Sequence, residues 1–415
     1  MIMTKNHTNE VLAGWLLVGF LALTASASAQ QEVFVPPTQS PVPPQQQFGV
    51  QMVADPSLQF APPPDSPFQW GSLVLKPHFL YRFLYGNGIQ ATPGHQLTTA
   101  TNSFSPGFLL DMGSRWTLDY TPTWSLYSNS AFHDTLGEAV TLAGAISFDD
   151  STLQLNQSYV YFSEPLVETG RQTSQQDFTT RLDLSHRFNQ QLFTETILSQ
   201  DLRYAVGFPS SNEWSALDWL HYQSSQQLDT AIGAGLGYVD VSEGSETFYF
   251  QPEALATWAP SSKLSIKLTG GLDYREFLEH PRVTLDTPIY NVTLQYNPFE
   301  WTGLGFTAGR QVAVSYFANE STKNTVWRAT LSQRLLEHFL LMASVGQNKA
   351  AYLSDSTSGS AGRNDEYLSY NLRLTWSFLQ RGTLAVLYQW DRNSSTASGF
   401  GFSSHQVGLE LGYRY

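Results

Sequence analysis

The 415-residue sequence contains no cysteine, so a disulfide framework, a thiolate metal site and a cysteine nucleophile are all excluded. It is poor in charge: Asp, Glu, Lys and Arg make up 14%, against roughly 25% in soluble domains. Bases are scarcer than acids, 22 against 35, for a net charge of −13. That balance excludes nucleic acid as a partner, which needs a basic surface. The mean hydropathy of −0.23 is not that of a helical membrane protein. Neither a Gly-rich phosphate loop nor an H-E-x-x-H zinc motif occurs, so no cofactor, metal site or catalytic residue is expected.

What the chain has in excess is aromatic residues, 14% of the total, with 11 Trp, 20 Tyr and 26 Phe. It also has alternation. Over the final stretch, Val407, Leu409, Leu411, Tyr413 and Tyr415 share one face of an extended strand, and Gln406, Gly408, Glu410, Gly412 and Arg414 share the other. Period-two alternation of this kind makes a strand with one apolar and one polar side. An open hydrophobic edge invites aggregation, whereas a strand that closes a barrel against the first strand has no open edge. The same alternation runs through Trp116–Leu126, Phe178–Leu184, Leu264–Tyr274 and Leu368–Phe378. Low charge, many aromatics and middling hydropathy fit a membrane barrel, in which apolar and polar residues average out.

The start of the chain reads differently. Lys5, an apolar run from Val11 to Leu23 and the small-residue site Ala27-Ser28-Ala29 predict a secretory signal peptide over 1–29. Residues 30–69 are rich in Pro and Gln and predict a disordered tail on the periplasmic side. The barrel is expected over 70–415.

Short turns are predicted near Gly113-Ser114, Asp149-Asp150, Asn189-Gln190, Ser224-Ser225, Pro260-Ser262, Asn297-Pro298, Leu336-Glu337 and Gln380-Gly382. Longer polar loops are predicted near 86–101, 128–137, 163–174, 205–212, 240–246, 276–286, 311–324, 349–364 and 391–403. This rhythm implies an all-β fold, an up-and-down antiparallel barrel of about eighteen strands with both termini on the short-turn side. A β-propeller would need four short strands per period, where this chain has two long ones. Pro77, Pro106, Pro122, Pro252 and Pro288 fall inside strand segments, where proline removes a ladder hydrogen bond. Segments 191–204 and 214–223 alternate poorly.

Lipid dictates the facing: apolar side chains outward, polar side chains into the lumen. The candidate pore-lining residues at mid-depth are then Asp119, Arg181, Asp183, Lys267, Arg328 and Arg373. Arg115, Arg187, Lys263 and Arg334 are expected at the periplasmic rim, and Asp111, Asp177, Asp273 and Arg275 nearer the outside. Mixed charge across a pore orients polar solutes and tunes ion selectivity.

From Trp70 to Tyr415 the chain resembles bacterial outer-membrane β-barrel porins, through its leader, alternation, turn rhythm and aromatic end. The terminal strand resembles the signal by which such barrels engage the barrel-assembly machinery, with Glu410 where a glycine is usual. The resemblance implies residence in the outer membrane among its lipids, as a monomer or homotrimer. It also implies passive diffusion of small hydrophilic solutes. Export of an exopolysaccharide and a structural or adhesive surface barrel are the alternatives. Barrel enzymes are set aside: no His is followed by Ser two places on, as in an outer-membrane phospholipase, and no Asp stands two places before a His.

Overall fold

The computed structural model describes residues 68–278, 283–354, 362–378 and 380–414. The expected signal peptide, nearly all of the expected tail, and Tyr415 lie outside the described residues. A three-residue strand β1 (Phe68–Trp70) pairs with the start of β2. The remaining strands are β2 (Leu73–Thr92), β3 (His95–Met112), β4 (Trp116–Tyr127), β5 (Thr135–Ser147), β6 (Ser151–Leu166) and β7 (Arg171–Arg187). They continue as β8 (Leu192–Ala205), β9 (Ser211–Ser225), β10 (Leu228–Val241), β11 (Thr247–Ser261), β12 (Leu264–Phe277) and β13 (Val283–Phe299). The last six are β14 (Thr302–Val314), β15 (Glu320–Leu335), β16 (Phe339–Ser354), β17 (Asn364–Ser377), β18 (Gly382–Ser395) and β19 (Phe402–Arg414).

From β2 to β19 each strand pairs antiparallel with the next, and β19 pairs back onto β2, from His405↔Asn87 to Arg414↔His78. The sheet therefore closes into an up-and-down barrel of eighteen strands, with no helix among the described residues. Eighteen strands about 4.8 Å apart, tilted by about 40°, wrap a cylinder about 35 Å across. Side chains reaching inward about 5 Å from each wall leave a bore far too wide for them to fill.

Two of the expected long loops are almost wholly strand. Residues 86–101 are a tall hairpin whose tip is Pro93-Gly94, and 163–174 are another with its tip at 167–170. Only about 9–11 residues are needed to span a bilayer; β2 has 20 and β7 has 17. Beyond the apolar band both faces meet water, so the alternation that announces a strand fades while the ladder continues. Three short turns sit one to three residues later than expected, at 226–227, 262–263 and 300–301.

The strand prolines are absorbed without slippage. Pairing resumes in the same register on either side of Pro106, from Phe104↔Trp124 to Phe108↔Tyr120, and of Pro252, from Phe250↔Tyr274 to Glu253↔Gly271. A lost rung costs one hydrogen bond, whereas a bulge would turn the following side chains to the wrong face.

Candidate functional site: the lumen and its upper mouth

The faces invert the usual order of a folded protein. Tyr370, Leu372, Leu374 and Trp376 of β17 are 39–46% exposed, and Val407, Leu409, Leu411 and Tyr413 of β19 are 41–50% exposed. Between them, Ser369, Thr375 and Glu410 are buried, as are Asp391 and Asn393 on β18. Large apolar side chains outside and polar ones inside is the pattern a hydrocarbon surround and a wet interior require.

The predicted site residues stand on the inward face or at the lower, short-turn rim. Asp119 accepts a hydrogen bond from Thr121 at 2.8 Å and lies 3.6 Å from His78 Nε2. Arg181 and Asp183 are 3.6 Å apart on β7. Lys267 projects inward, exposed, from β12, and Arg328 projects inward from β15, facing Gly346 across the rung. At the lower rim, Arg115 occupies a turn, Arg187 lies over the Phe193 ring at 5.5 Å, and Lys263 Nζ donates to the Pro298 carbonyl at 3.0 Å. Arg334 is the penultimate residue of β15 at the same rim. Higher up, Asp177 accepts from Gln175 at 3.0 Å, and Asp273 and Arg275 form a buried pair at 3.1 Å.

Asp111 is misplaced by the sequence reading. It lies two residues before the Gly113 turn, at the lower rim, 2.6 Å from Lys76 Nζ. Strand β3 runs from the upper tip down to that turn, so its last residues cannot be near the outside.

A lumen charge that links three strands was not among the candidates. Glu410, 1% exposed, sits between Arg82 Nε at 2.5 Å and Arg373 Nη1 at 2.5 Å. Arg82 is its directly opposed neighbour across the closing seam, so this triad stitches β17, β19 and β2 together. The signal was present: a carboxylate on the inward face of the last strand.

Poor alternation in β8 and β9 has a local cause. Here the inward face carries Ile197, Leu217 and Trp219, packed with Ala231 and Leu255, while Thr196 and Asp218 face outward, joined at 2.6 Å. The Trp219 ring lies against Gly233 and the Tyr249 ring against Gly237, because only a residue without Cβ lets an aromatic lie that close to the wall. Tyr249 then reaches Glu213 at 2.6 Å and receives Arg275 over its ring at 4.6 Å.

At the upper, long-hairpin end the tips fold inward and meet. Glu168, on the β6–β7 tip, is 2% exposed. Its Oε1 accepts from Ser315 Oγ at 2.6 Å and from the Tyr316 N–H at 2.8 Å, both on the β14–β15 tip. Arg363, before β17, donates to the Glu168 carbonyl at 2.8 Å and lies over Phe400 at 3.8 Å. Arg203 donates to Ser315 O at 2.7 Å and covers the Tyr316 ring at 4.1 Å. The β2–β3 and β18–β19 tips join through Gly94 N–H donating to Gly399 O at 2.6 Å. Strands β6 and β7 stand across the ring from β14–β17, so these contacts bridge the mouth. Burial raises the Glu168 carboxyl above the usual glutamate range, opposed by the Ser315 and Tyr316 hydrogen bonds and by Arg203 and Arg363.

No protein-family model and no curated protein matches the sequence. Among solved structures it is similar to OccK2 (OpdF) of Pseudomonas aeruginosa, at 12% identity and a TM-score of 0.47, over 82% of this chain and 98% of that one. It is also similar to P. aeruginosa OpdL, at 14% identity and a TM-score of 0.44, over 83% and 99%. Acinetobacter baumannii OccAB4 aligns at 11% identity and a TM-score of 0.45, over 84% and 100%. The likeness is one of outline; the barrel itself rests on the strand pairing described above.

Proposed function

We propose that this protein is an outer-membrane porin that passes small hydrophilic solutes by diffusion through a water-filled lumen. The observation that carries this is the closed ring of eighteen strands with apolar side chains outside and Glu410, Asp391, Arg373 and Arg328 inside. A cylinder of that girth is beyond what its own wall can pack, so its polar interior holds water. The long hairpins face the exterior and the short turns the periplasm. Size selection falls at the upper mouth, where the tips gathered on Glu168 narrow the path. Within the lumen, Asp183, Asp201, Glu213 and Glu253 stand on β7–β11, with Arg181 among them, across the ring from Arg328 and the Arg82–Glu410–Arg373 triad, which together carry an excess of positive charge. That arrangement sets a transverse field that orients dipolar solutes as they pass.

Swelling of proteoliposomes in isotonic solutions of graded sugars tests the reading. Rapid swelling with pentoses, falling off steeply at larger oligosaccharides, is expected. No swelling with any solute would dismiss it. Swelling with long polysaccharides would favour the export alternative.

A further inference from the structure

The outward surface is sorted by charge. Among the described Lys and Arg side chains, those on outward strand faces are Arg310 on β14, Lys323 on β15, Lys349 on β16 and Arg392 on β18. The outward carboxylates of β5–β13 are Glu138, Asp218, Asp240, Glu276 and Asp286, and that flank carries none of the four bases. In a chain of net charge −13, four cations gathered on one flank of the lipid-facing wall need a reason.

Their height supplies one. Arg310, Thr325, Lys349, Glu366 and Ser394 are successive neighbours on one rung across β14–β18. Lys323 stands two residues above that rung and Arg392 two residues below its β18 end. All four lie in the upper halves of their strands. Immediately beneath Arg392, Tyr370 and Trp390 share a rung with ring centroids 5.2 Å apart. Trp390 is the last apolar residue of the outward run Leu384, Val386, Tyr388 and Trp390 on β18, and an aromatic at the edge of the apolar band marks the interface between hydrocarbon and headgroups. A cation one rung above them is at headgroup depth. Arg310 and Lys349, two strands apart, are separated by roughly 10 Å, and the belt spans the width of a lipid headgroup or two. An open recess of about 670 Å³ at its β18–β19 edge is lined by Gln96, Trp390, Arg392, Ser394, Phe402 and Ser403.

Among the described residues the four bases are not consumed by local acids. Glu366, 50% exposed, is the one carboxylate on the rung; it lies 3.8 Å from Lys349, which is itself 59% exposed. An exposed pair of that kind binds weakly. Arg310 donates to Thr325 at 3.0 Å and lies over Tyr290 at 5.6 Å, contacts that orient the guanidinium and leave its charge uncompensated.

We propose that the outward face of β14–β18 is a binding site for phosphorylated lipid headgroups of the outer leaflet. Arg310, Lys323, Lys349 and Arg392 take the phosphate oxygens, and Trp390 and Tyr370 fix the depth of the acyl–headgroup boundary. Charge complementarity commits the surface to that occupant: phosphate groups are the anions that lipid headgroups place at this depth, and the acid-bearing flank of β5–β13 repels them. The proposal rests on the barrel lying in a membrane, and its test separates the two.

The probe is dioleoyl phosphatidic acid, a phosphomonoester lipid, in a phosphatidylcholine background. Lipids retained by the full chain are counted by native mass spectrometry after gentle detergent release. Wild type is expected to retain phosphatidic acid over phosphatidylcholine by at least about tenfold. A variant with Arg310, Lys323, Lys349 and Arg392 all changed to Gln should lose that preference. A control with Arg115, Arg187, Lys263 and Arg381 changed to Gln should keep it. Retention should survive millimolar inorganic phosphate, which marks a lipid site. Equal retention of both lipids by wild type overturns the proposal, as does loss in the control or displacement by free phosphate. Conductance of the four-site variant in pure phosphatidylcholine is recorded in parallel. A conducting barrel without lipid preference sinks this site alone, whereas a lipid-selective barrel that never conducts sinks the porin reading alone.

Discussion

Ser315 donates its hydroxyl to Glu168 at 2.6 Å across the upper mouth, although the two residues are 147 apart in the chain. The bond ties hairpin tips from opposite walls of the barrel, and it makes the mouth a folded element of its own. Replacing Glu168 with Ala removes two hydrogen bonds to a buried carboxylate, each worth about 1.5–3 kcal/mol. Glu168→Ala should raise single-channel conductance and add open-level noise, with the barrel still resistant to cold detergent. An unchanged open level in planar-bilayer recordings would mean that the tips do not restrict flow.

The raised Glu168 carboxyl predicts a pH response of the mouth. Burial first of all raises it, so the closed arrangement holds the proton more tightly than an opened one. Linkage then makes the closed mouth fully favoured below the ordinary glutamate pKa, with that advantage lost as pH rises through the raised value. Conductance should be lowest in acid and rise with pH across that interval. Glu168→Gln, which keeps the neutral form, should hold the acid level at every pH; a Gln variant that still responds would place the titration elsewhere.

Glu410 holds Arg82 and Arg373 together at the seam where the barrel closes. Removing one partner of a buried ion pair costs about 3–5 kcal/mol, less where the orphaned partners reach water; these arginine side chains are 28% and 23% exposed. Glu410→Ala should therefore lower the temperature at which the folded band is lost in heat-modifiability gels. It should also move the reversal potential toward anion preference, since two lumen cations lose their counter-charge. Arg373→Gln should move it the opposite way. Identical potentials in all three proteins would show that the seam lies off the conduction path.

Much of the barrel was legible because lipid imposes a strict rule on each spanning strand. The alternation of Leu368–Phe378 and Val407–Tyr413 is that rule written out. What was hidden lies where the rule relaxes. Above the bilayer, Gly86–Thr92 remains strand with polar residues on both faces, so it reads as loop. In β8 and β9 the rule is locally reversed by Ile197 and Trp219 inside and Asp218 outside. Individual inward charges were legible, but not their partners: Glu410 and Arg82 are 328 residues apart, and only closure of the ring makes them neighbours. The Glu168 knot joins three tips whose sequences share no pattern.

Asp218 is an exposed, outward carboxylate at the middle of β9. Facing hydrocarbon it is destabilising, so Asp218→Leu should stabilise the barrel by about 1–2 kcal/mol, read as a shift in urea unfolding from bilayers. Destabilisation would contradict a hydrocarbon-facing Asp218 and assign its 2.6 Å bond from Thr196 a larger share of the stability.

Gly237 leaves room for the Tyr249 ring against the wall. Gly237→Ala should push that ring toward the lumen, break its 2.6 Å bond to Glu213, and lower conductance while the barrel still folds. Conductance equal to wild type would show that the wall yields instead of the ring.

The central claim is that water runs continuously through the ring, and the current carried by single molecules in a planar bilayer tests it most directly. Purified wild type should insert in discrete, ohmic conductance steps, larger in Glu168→Ala and smaller in acid. A protein that inserts and folds yet stays electrically silent, with the Glu168→Ala variant silent as well, would contradict it.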